Sequence, residues 1–589
     1  MEEPAKLQQP PAVSVSWPAR VEGAVPVAVA AAASIAYGLT FGFTYGVNNQ
    51  IVYMLRALRL LDPSVLADDW IAAHTLDYHP AFAYLGWLLL AIGGRGGWGI
   101  GIATVVAAAG GAMCVYWLCR RLLPEPTALP AFLLTLWFML VTGTRELAGT
   151  YAFDPIFQPS TVASVALLAS LPPFVSGRWL LSGILLGIAG LFHANYLILG
   201  LAVFGTAHLC IGFRDPRELG RRVIRHLGPS IVVLAMLSPV ILRAVGGGDG
   251  ARAQQILFTI RSPYHYEPRS YLGDFFSFAA LQAVGLGLAS WLFRRGDGRG
   301  RRFASIVIGM LLVVWIGSVM AVVFESRRAT QLFVWRLAPY VDLLMGLVVA
   351  ATASRALLTP RSPLRMSRTE VALVVAGVGA LSLSLFSHAR PVLEWLEWMV
   401  AIGAAGVALR FALRRLAPLA SRVPKLALQQ GPRLAAIVAA FLFYGQVKGP
   451  LDSVRGRSNL VTGMPGPETD LYGWIRANTA KDAVFLSPPG LERFRLASER
   501  AIVVDWKATA YAPAEVLEWY RRLEDVSGRS NPRGRDDVIA GYEALDRARL
   551  DTLRERYHLR YVVVTKGHEP ALGYPVVYSN RAFAVLDLR

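Results

Sequence analysis

The chain has 589 residues, 59 of them basic and 40 acidic, for a net charge of +19. Hydrophobic residues make up 54% and charged residues 17%, with a mean hydropathy of +0.43, whereas soluble globular chains carry about 25% charge. That composition excludes a disordered chain, and the length excludes a single soluble domain. Apolar runs of about 20 residues recur from end to end, so the fold class is a polytopic α-helical membrane protein.

The excess charge does not point to nucleic acid. From Lys448 onward there are 22 basic and 19 acidic residues, so +16 of the net charge lies in the membrane-embedded part. There it sits in short loops, a pattern of orientation by cytoplasmic basic residues. Only six residues are Lys and 53 are Arg. Arg suits phosphate recognition, although high-GC coding produces the same bias. Cys114, Cys119 and Cys210 fall in or beside apolar runs without metal or disulfide spacing and read as core residues.

In chain order, residues 1–23 form a polar, Pro-rich tail expected in the cytoplasm. The run Ala24–Tyr45 is too long for a cleaved signal and reads as a first span. Further spans are expected from near Ala81, Ile100, Leu129, Thr161, Leu180, Tyr196, Pro229, Phe275, Ala304, Leu337, Val371, Val392 and Leu434. Basic loops around Arg214–Arg225, Arg294–Arg302, Arg355–Arg368 and Arg410–Arg433 are separated by pairs of spans, so all four share the cytoplasmic side. A cytoplasmic N-terminus and an outer C-terminus require an odd number, about 13. One of the 14 candidates must then only half cross, either Leu85–Ile92 or a part of 180–213. The transmembrane part is expected over 24–446 with its first external loop at 47–80. Residues 447–589 alternate strand-like runs (Ala483–Leu486, Ala501–Val504, Tyr561–Val564, Val576–Tyr578, Phe583–Leu588) with charged helical patterns, the signature of a small extracytoplasmic α/β domain.

Five polar clusters could carry chemistry. The first external loop holds Asp68-Asp69-Trp70, His74, Asp77 and His79 behind a stretch with apolar residues at helical spacing. Asp68 or Asp69 could accept a proton from an acceptor or bind a divalent cation, and could equally cap a helix. Thr144–Ser160 brings Arg145, Glu146, Asp154 and Gln158 between two apolar runs; Asp154 before Pro155 is also a turn signal. His193-Ala194-Asn195 interrupts an apolar stretch, where polar groups face a cavity or satisfy each other in the core. Arg261–Tyr271 mixes Arg, His and Tyr, including His265 and Tyr266, and suits either a phosphate-and-sugar grip or an interfacial aromatic belt. Glu325–Arg328 with Gln331 and Arg336 places Arg on the outer face, where a lipid phosphate or simple headgroup snorkelling would hold it. No phosphate-loop GK[ST], HExxH, CxxC or GxSxG occurs, so ATP-driven transport and soluble-type metallohydrolysis lack support.

This pattern resembles the GT-C superfamily of membrane glycosyltransferases, with many spans and an acidic first external loop. The stretch ADDW, Ala67–Trp70, resembles the first-loop motif, and RELAGTYAFDP, Arg145–Pro155, the second acidic loop. The tail, with LYGWIRANTAKDAVFL near its start, is similar to tails on bacterial members. A DxE or DxD in the second loop and a WWD-type motif in the tail are missing, so the resemblance stops at the superfamily and argues against asparagine-linked transfer.

The resemblance implies a hexosyl- or pentosyltransferase of inverting type. Its partners would be membrane lipid, a polyprenyl-phosphate sugar donor and a glycan, lipid or protein acceptor. It would work on the outer face of the inner (plasma) membrane. Asp69 or Asp68 would be the base, Asp154 and His193 supporting or metal groups for Mg or Mn, and Arg261, Arg327, Arg328 and Arg336 the donor-phosphate ligands. His79, His265, Tyr266 and Gln331 would meet sugar or acceptor. Two other classes compete: a transporter or flippase of lipid-linked glycans, which would use deep ionisable residues such as Asp342, Glu394 and Glu397, and a non-catalytic scaffold with an outer binding domain.

Overall fold

The computed structural model describes residues 19–75, 78–142, 145–212, 215–245, 250–268, 272–293, 298–358 and 466–589. The expected tail 1–18, Asp77, Glu394, Glu397 and the spans expected near Val371, Val392 and Leu434 lie outside the described residues.

The membrane part opens with α1 (Ala19–Thr40), then α2 (Gln50–Leu61) and the short α3 (Trp70–His74) in the first loop. It continues with α4 (Pro80–Gly93), α5 (Trp98–Leu122), α6 (Glu125–Thr142), α7 (Pro159–Val175), α8 (Trp179–Phe192), α9 (Ala194–Gly212) and α10 (Pro216–Val245). After α11 (Gly250–Gln255) and α12 (Pro263–Tyr266) come α13 (Leu272–Leu292), α14 (Gly298–Val322), α15 (Arg327–Leu332) and α16 (Ala338–Leu358). Five of these helices, in α5, α9, α10, α14 and the segment Arg327–Arg355, are long and apolar enough to cross a membrane, and six shorter apolar helices accompany them.

Contacts between connections sort the helix ends into two faces. Arg95, between α4 and α5, pairs with Asp62 of the first loop at 2.8 Å and with Glu499 of the C-terminal part at 2.6 Å. Both ends of α4 therefore lie on the face that carries the C-terminal domain, and α4 does not cross. This helix of 14 residues contains Leu85–Ile92, one of the two stretches expected only to half cross. On the opposite face Arg302 donates to the Val175 carbonyl at 2.8 Å, and Arg222 to that of Gly212 at 3.0 Å.

The C-terminal part is a small α/β domain. Its five-stranded sheet has the order β4 (Ala501–Ile502), β3 (Val484–Leu486), β5 (Tyr561–Thr565), β7 (Phe583–Asp587), β6 (Val576–Ser579), numbered after the two-residue strands β1 (Arg145–Glu146) and β2 (Thr150–Tyr151). β4, β3 and β5 run parallel, and β7 and β6 close the sheet antiparallel. β5 is buried over four successive residues because helices cover it. The helix Arg535–Glu543 carries Asp536 and Asp537 in its first turn, where the helix dipole favours acids.

One apolar core joins this domain to the first outer loop. Ile51, Met54, Leu55 and Leu58 of α2 belong to the same buried cluster as Phe485, Phe494 and Trp519 of the domain. The apolar face of α2 is largely buried inside the protein.

Candidate functional site

The two acids of the first loop part company. Asp69 is fully buried, caps α3 by accepting from the Ala72 N–H at 2.9 Å, and also accepts from Arg495 Nε at 2.6 Å and from the Ile502 N–H at 3.1 Å. Arg495 is itself buried and bonds Asp505 as well. Asp69 is therefore a clasp between loop and domain, its carboxylate sealed from water and held by three donors, which matches the helix-capping alternative. Asp68, its neighbour, is exposed.

The remaining polar clusters converge around Arg336. β1 and β2 form a tight hairpin whose turn puts Ala148 and Gly149 at φ +59° and +65°. That turn directs the Ala148 carbonyl to His265 Nδ1, 2.6 Å away. A carbonyl only accepts, so the proton sits on Nδ1 and Nε2 keeps its lone pair. Thr150 Oγ1 donates to the carbonyls of Leu147 and Trp335, tying the hairpin to the Arg336 segment. Phe333 takes a left-handed φ of +49° and packs its ring against His265, Tyr266 and Trp335.

Arg336 lies 5.4 Å from the Tyr196 ring and 5.2 Å from that of Phe333, with its Nε lacking a hydrogen-bond partner. Its charge reaches Asp154, His79, His265 and Tyr266. His79 stands 5.0 Å from His193, ring centre to ring centre, and the His193 Nδ1 is buried without a partner. Burial holds His79 and His265 neutral, down to about 3 and about 4.

Asp154 is the carboxylate of this cluster among the described residues. Its Oδ1 accepts from the Ile156 N–H at 3.2 Å, the turn expected before Pro155, and its Oδ2 accepts from Gln158 Nε2. Gln158 in turn accepts from Asn49 Nδ2 at 3.1 Å. Loss of water raises the Asp154 carboxyl to about 6, against the opposing pull of its hydrogen bonds and Arg336. Sequence reasoning missed Asn48, Asn49 and Gln50, three consecutive polar residues just past the first span that connect the first loop to Asp154. It also missed Lys507, which donates to Asn48 Oδ1 at 2.9 Å.

Other expected groups fall at the rim or away from the cluster. Arg261 is buried, donates to the Lys507 carbonyl at 3.0 Å and lies 5.8 Å from the Trp506 ring. Gln331 accepts from Gln254 at 3.1 Å. Arg327 and Arg328 are exposed on α15 beside the exposed Phe324 and Leu332, a lipid-headgroup position, and no contact brings them to Arg336. For Mg or Mn, no three His, Cys, Asp or Glu side chains come together among the described residues. Asp154, already hydrogen-bonded and facing a guanidinium, does not make a cation cage with the two neutral histidines.

The comparisons with known proteins agree with this architecture. Residues 77–242 match the family model for dolichyl-phosphate-mannose-protein mannosyltransferase, and residues 467–526 a domain of unknown function, DUF6798. No curated protein matches. Among solved structures, ArnT from Cupriavidus metallidurans bound to undecaprenyl phosphate matches at 14% identity and a TM-score of 0.50, over 97% of this chain and 98% of that one. The fold is similar to that of ArnT. The chain also matches ArnT in its apo state, at 15% identity and a TM-score of 0.50 over 96% and 98% of the two chains. The oligosaccharyltransferase AglB from Archaeoglobus fulgidus, in complex with an inhibitory peptide and a dolichol-phosphate, is similar at 12% identity and a TM-score of 0.44, over 94% of this chain and 70% of that one.

Proposed function

We propose that this GT-C protein transfers a sugar from a polyprenyl-phosphate donor to a glycan, lipid or protein acceptor at the extracytoplasmic face of the inner (plasma) membrane. The observation that carries the proposal is that Asp154, raised by burial to about 6, lies within electrostatic reach of the Arg336 guanidinium, whose Nε is buried without a hydrogen-bond partner. A base near pH 6 and a guanidinium for the phosphate are two groups that glycosyl transfer from a phosphate uses.

The acceptor hydroxyl or amine gives its proton to Asp154 Oδ2 or Oδ1 as its oxygen or nitrogen attacks the anomeric carbon. The bond from that carbon to the phosphate oxygen breaks, and the electron pair leaves with the polyprenyl phosphate. Arg336 stabilises the charge developing there, through a guanidinium fork that matches phosphate geometry. In-line attack inverts the anomeric carbon. Gln158 and Asn49 hold the carboxylate in place, and the neutral His79, His193 and His265 supply ring nitrogens for sugar hydroxyls. The reported ArnT complex contains undecaprenyl phosphate, which is consistent with a lipid phosphate as the leaving group here.

The test is incubation of the purified full-length protein in lipid nanodiscs with a panel of polyprenyl-phosphate sugars. Release of free polyprenyl phosphate from at least one donor supports the reading; uptake of intact donor across a vesicle membrane without release supports a flippase instead.

A further inference from the structure

Arg336 is carried by a short segment, Phe333–Leu337, that its own residues would not hold in place. Phe333 is a bulky residue at a left-handed φ of +49°, and such a conformation persists only where the surroundings impose it. Side chains from three other elements do so. Asn195, at the start of α9, donates from Nδ2 to the Leu332 carbonyl, one residue before the strained position. Thr150 of β2 donates to the Trp335 carbonyl at 3.3 Å, and Trp335 Nε1 donates to Ser318 Oγ of α14 at 3.0 Å. These bonds fix the backbone beneath Arg336.

The long Arg336 side chain has many rotamers, so the backbone alone does not aim it. Its guanidinium lies 5.4 Å from the Tyr196 ring, and that ring also meets His193, 5.5 Å between ring centres. Tyr196 therefore stands between two members of the cluster. Its own orientation is set by Tyr340, one helical turn past Arg336: the Tyr340 hydroxyl donates to the Tyr196 oxygen at 3.1 Å, with the two rings edge to face. Tyr196 is 2% exposed and Tyr340 0%, so water does not compete for that bond, and a buried phenol without a partner is costly. Ser164 of α7, whose hydroxyl donates to the Ala152 carbonyl two residues before Asp154, also acts on the Tyr340 hydroxyl. One run of buried hydroxyls thus links the loop of the acid to the side chain that aims the cation.

We propose that Tyr340 is a positioning residue of the site: its hydroxyl fixes Tyr196, and the Tyr196 ring fixes the direction of the Arg336 guanidinium relative to Asp154. The inference rests on the transferase reading above, in which Arg336 meets the donor phosphate. Both tyrosines act through Arg336 and not on the reacting atoms.

The test is equilibrium binding of undecaprenyl phosphate to the purified full-length protein in nanodiscs, with turnover of a polyprenyl-phosphate sugar measured alongside. Tyr340→Phe and Tyr196→Phe each remove one hydroxyl and keep the ring, and each is also combined with Arg336→Lys, which loses the packing on Tyr196. Thermal unfolding of every unliganded variant is the control for folding, and Tyr196→Phe decides the matter if Tyr340→Phe does not fold. Each single variant is expected to weaken undecaprenyl phosphate about fivefold, with kcat at saturating donor within about twofold of wild type. Added to Arg336→Lys, neither is expected to weaken it further, because a pair that acts through one group is not additive. Wild-type affinity in both single variants overturns the positioning role, and so does the same fivefold loss in the Arg336→Lys background, where the tyrosines would be acting independently of Arg336; the transferase reading survives either result. Binding without turnover of any donor removes the transferase reading, and the comparison of single and double variants still decides the positioning role. Failure of wild type to bind undecaprenyl phosphate overturns both.

Discussion

Arg495 of the C-terminal domain donates from Nε to the Asp69 carboxylate of the first outer loop at 2.6 Å, with both side chains sealed from water. This bond, between residues 426 positions apart in sequence, sets the domain on the membrane part. The acid that reads from sequence as either a base or a helix cap is a cap and an anchor in the fold.

Removing that anchor leaves a buried charge short of a partner. Asp69→Ala is expected to destabilise the protein by about 3 kcal/mol and to expose the 466–589 domain to protease. Asp68→Ala, at the exposed neighbour, is expected to stay within about 0.5 kcal/mol of wild type. Thermal unfolding and limited proteolysis of the two variants provide the comparison.

Asp154 carries a different prediction. Asp154→Asn is expected to lower the turnover rate by about 100-fold or more while leaving donor affinity near wild type. The wild-type rate should fall as pH drops through about 6, where the carboxylate takes up a proton. The pH–rate profile of purified enzyme reports this directly.

The same carboxyl makes a stability prediction of opposite sense. Its folded value, about 6, lies above the ordinary 3.8, so between these values the folded state binds more protons than the unfolded one. Its contribution to stability is complete below about pH 4 and is lost as pH rises toward 6. Asp154→Asn removes the cost of the buried charge and should be as stable as wild type or more so, by up to about 2 kcal/mol at pH 7. Denaturation at pH 5 and pH 7 measures it.

Arg336→Lys separates charge from shape. A lysine keeps the charge but loses the planar fork and its packing on Tyr196 and Phe333. The donor KM is expected to rise about tenfold with Lys and further with Met, as measured with a polyprenyl-phosphate sugar.

Much of the architecture could be read from the sequence because hydrophobic runs and strand-like runs are local signals. The β5 run Tyr561–Val564 and the helix after Pro513 needed nothing beyond their own residues. Deciding that α4 keeps both ends on one face needed Arg95 to meet Asp62 and Glu499, a contact that sequence spacing does not encode. The same limit governed the site. Asp154, His193, His79, His265 and Arg336 were legible as polar residues in apolar surroundings, and the fold brings them together. Asp69 looked equally functional because a buried clasp and a base use the same residue type. The amides Asn48–Gln50 and Lys507 carried no signal of their own, since an amide beside a span or a lysine in a soluble domain is ordinary until its partner is known.

The most direct measurement is single-turnover release of polyprenyl phosphate from an accepted polyprenyl-phosphate sugar, comparing wild type with folded Asp154→Asn and Arg336→Met. Fast release by wild type, with chemistry lost in the first variant and donor binding lost in the second, is the expected result. Release by Asp154→Asn at the wild-type rate would contradict the account, because the carboxylate beside Arg336 would then have no part in the transfer.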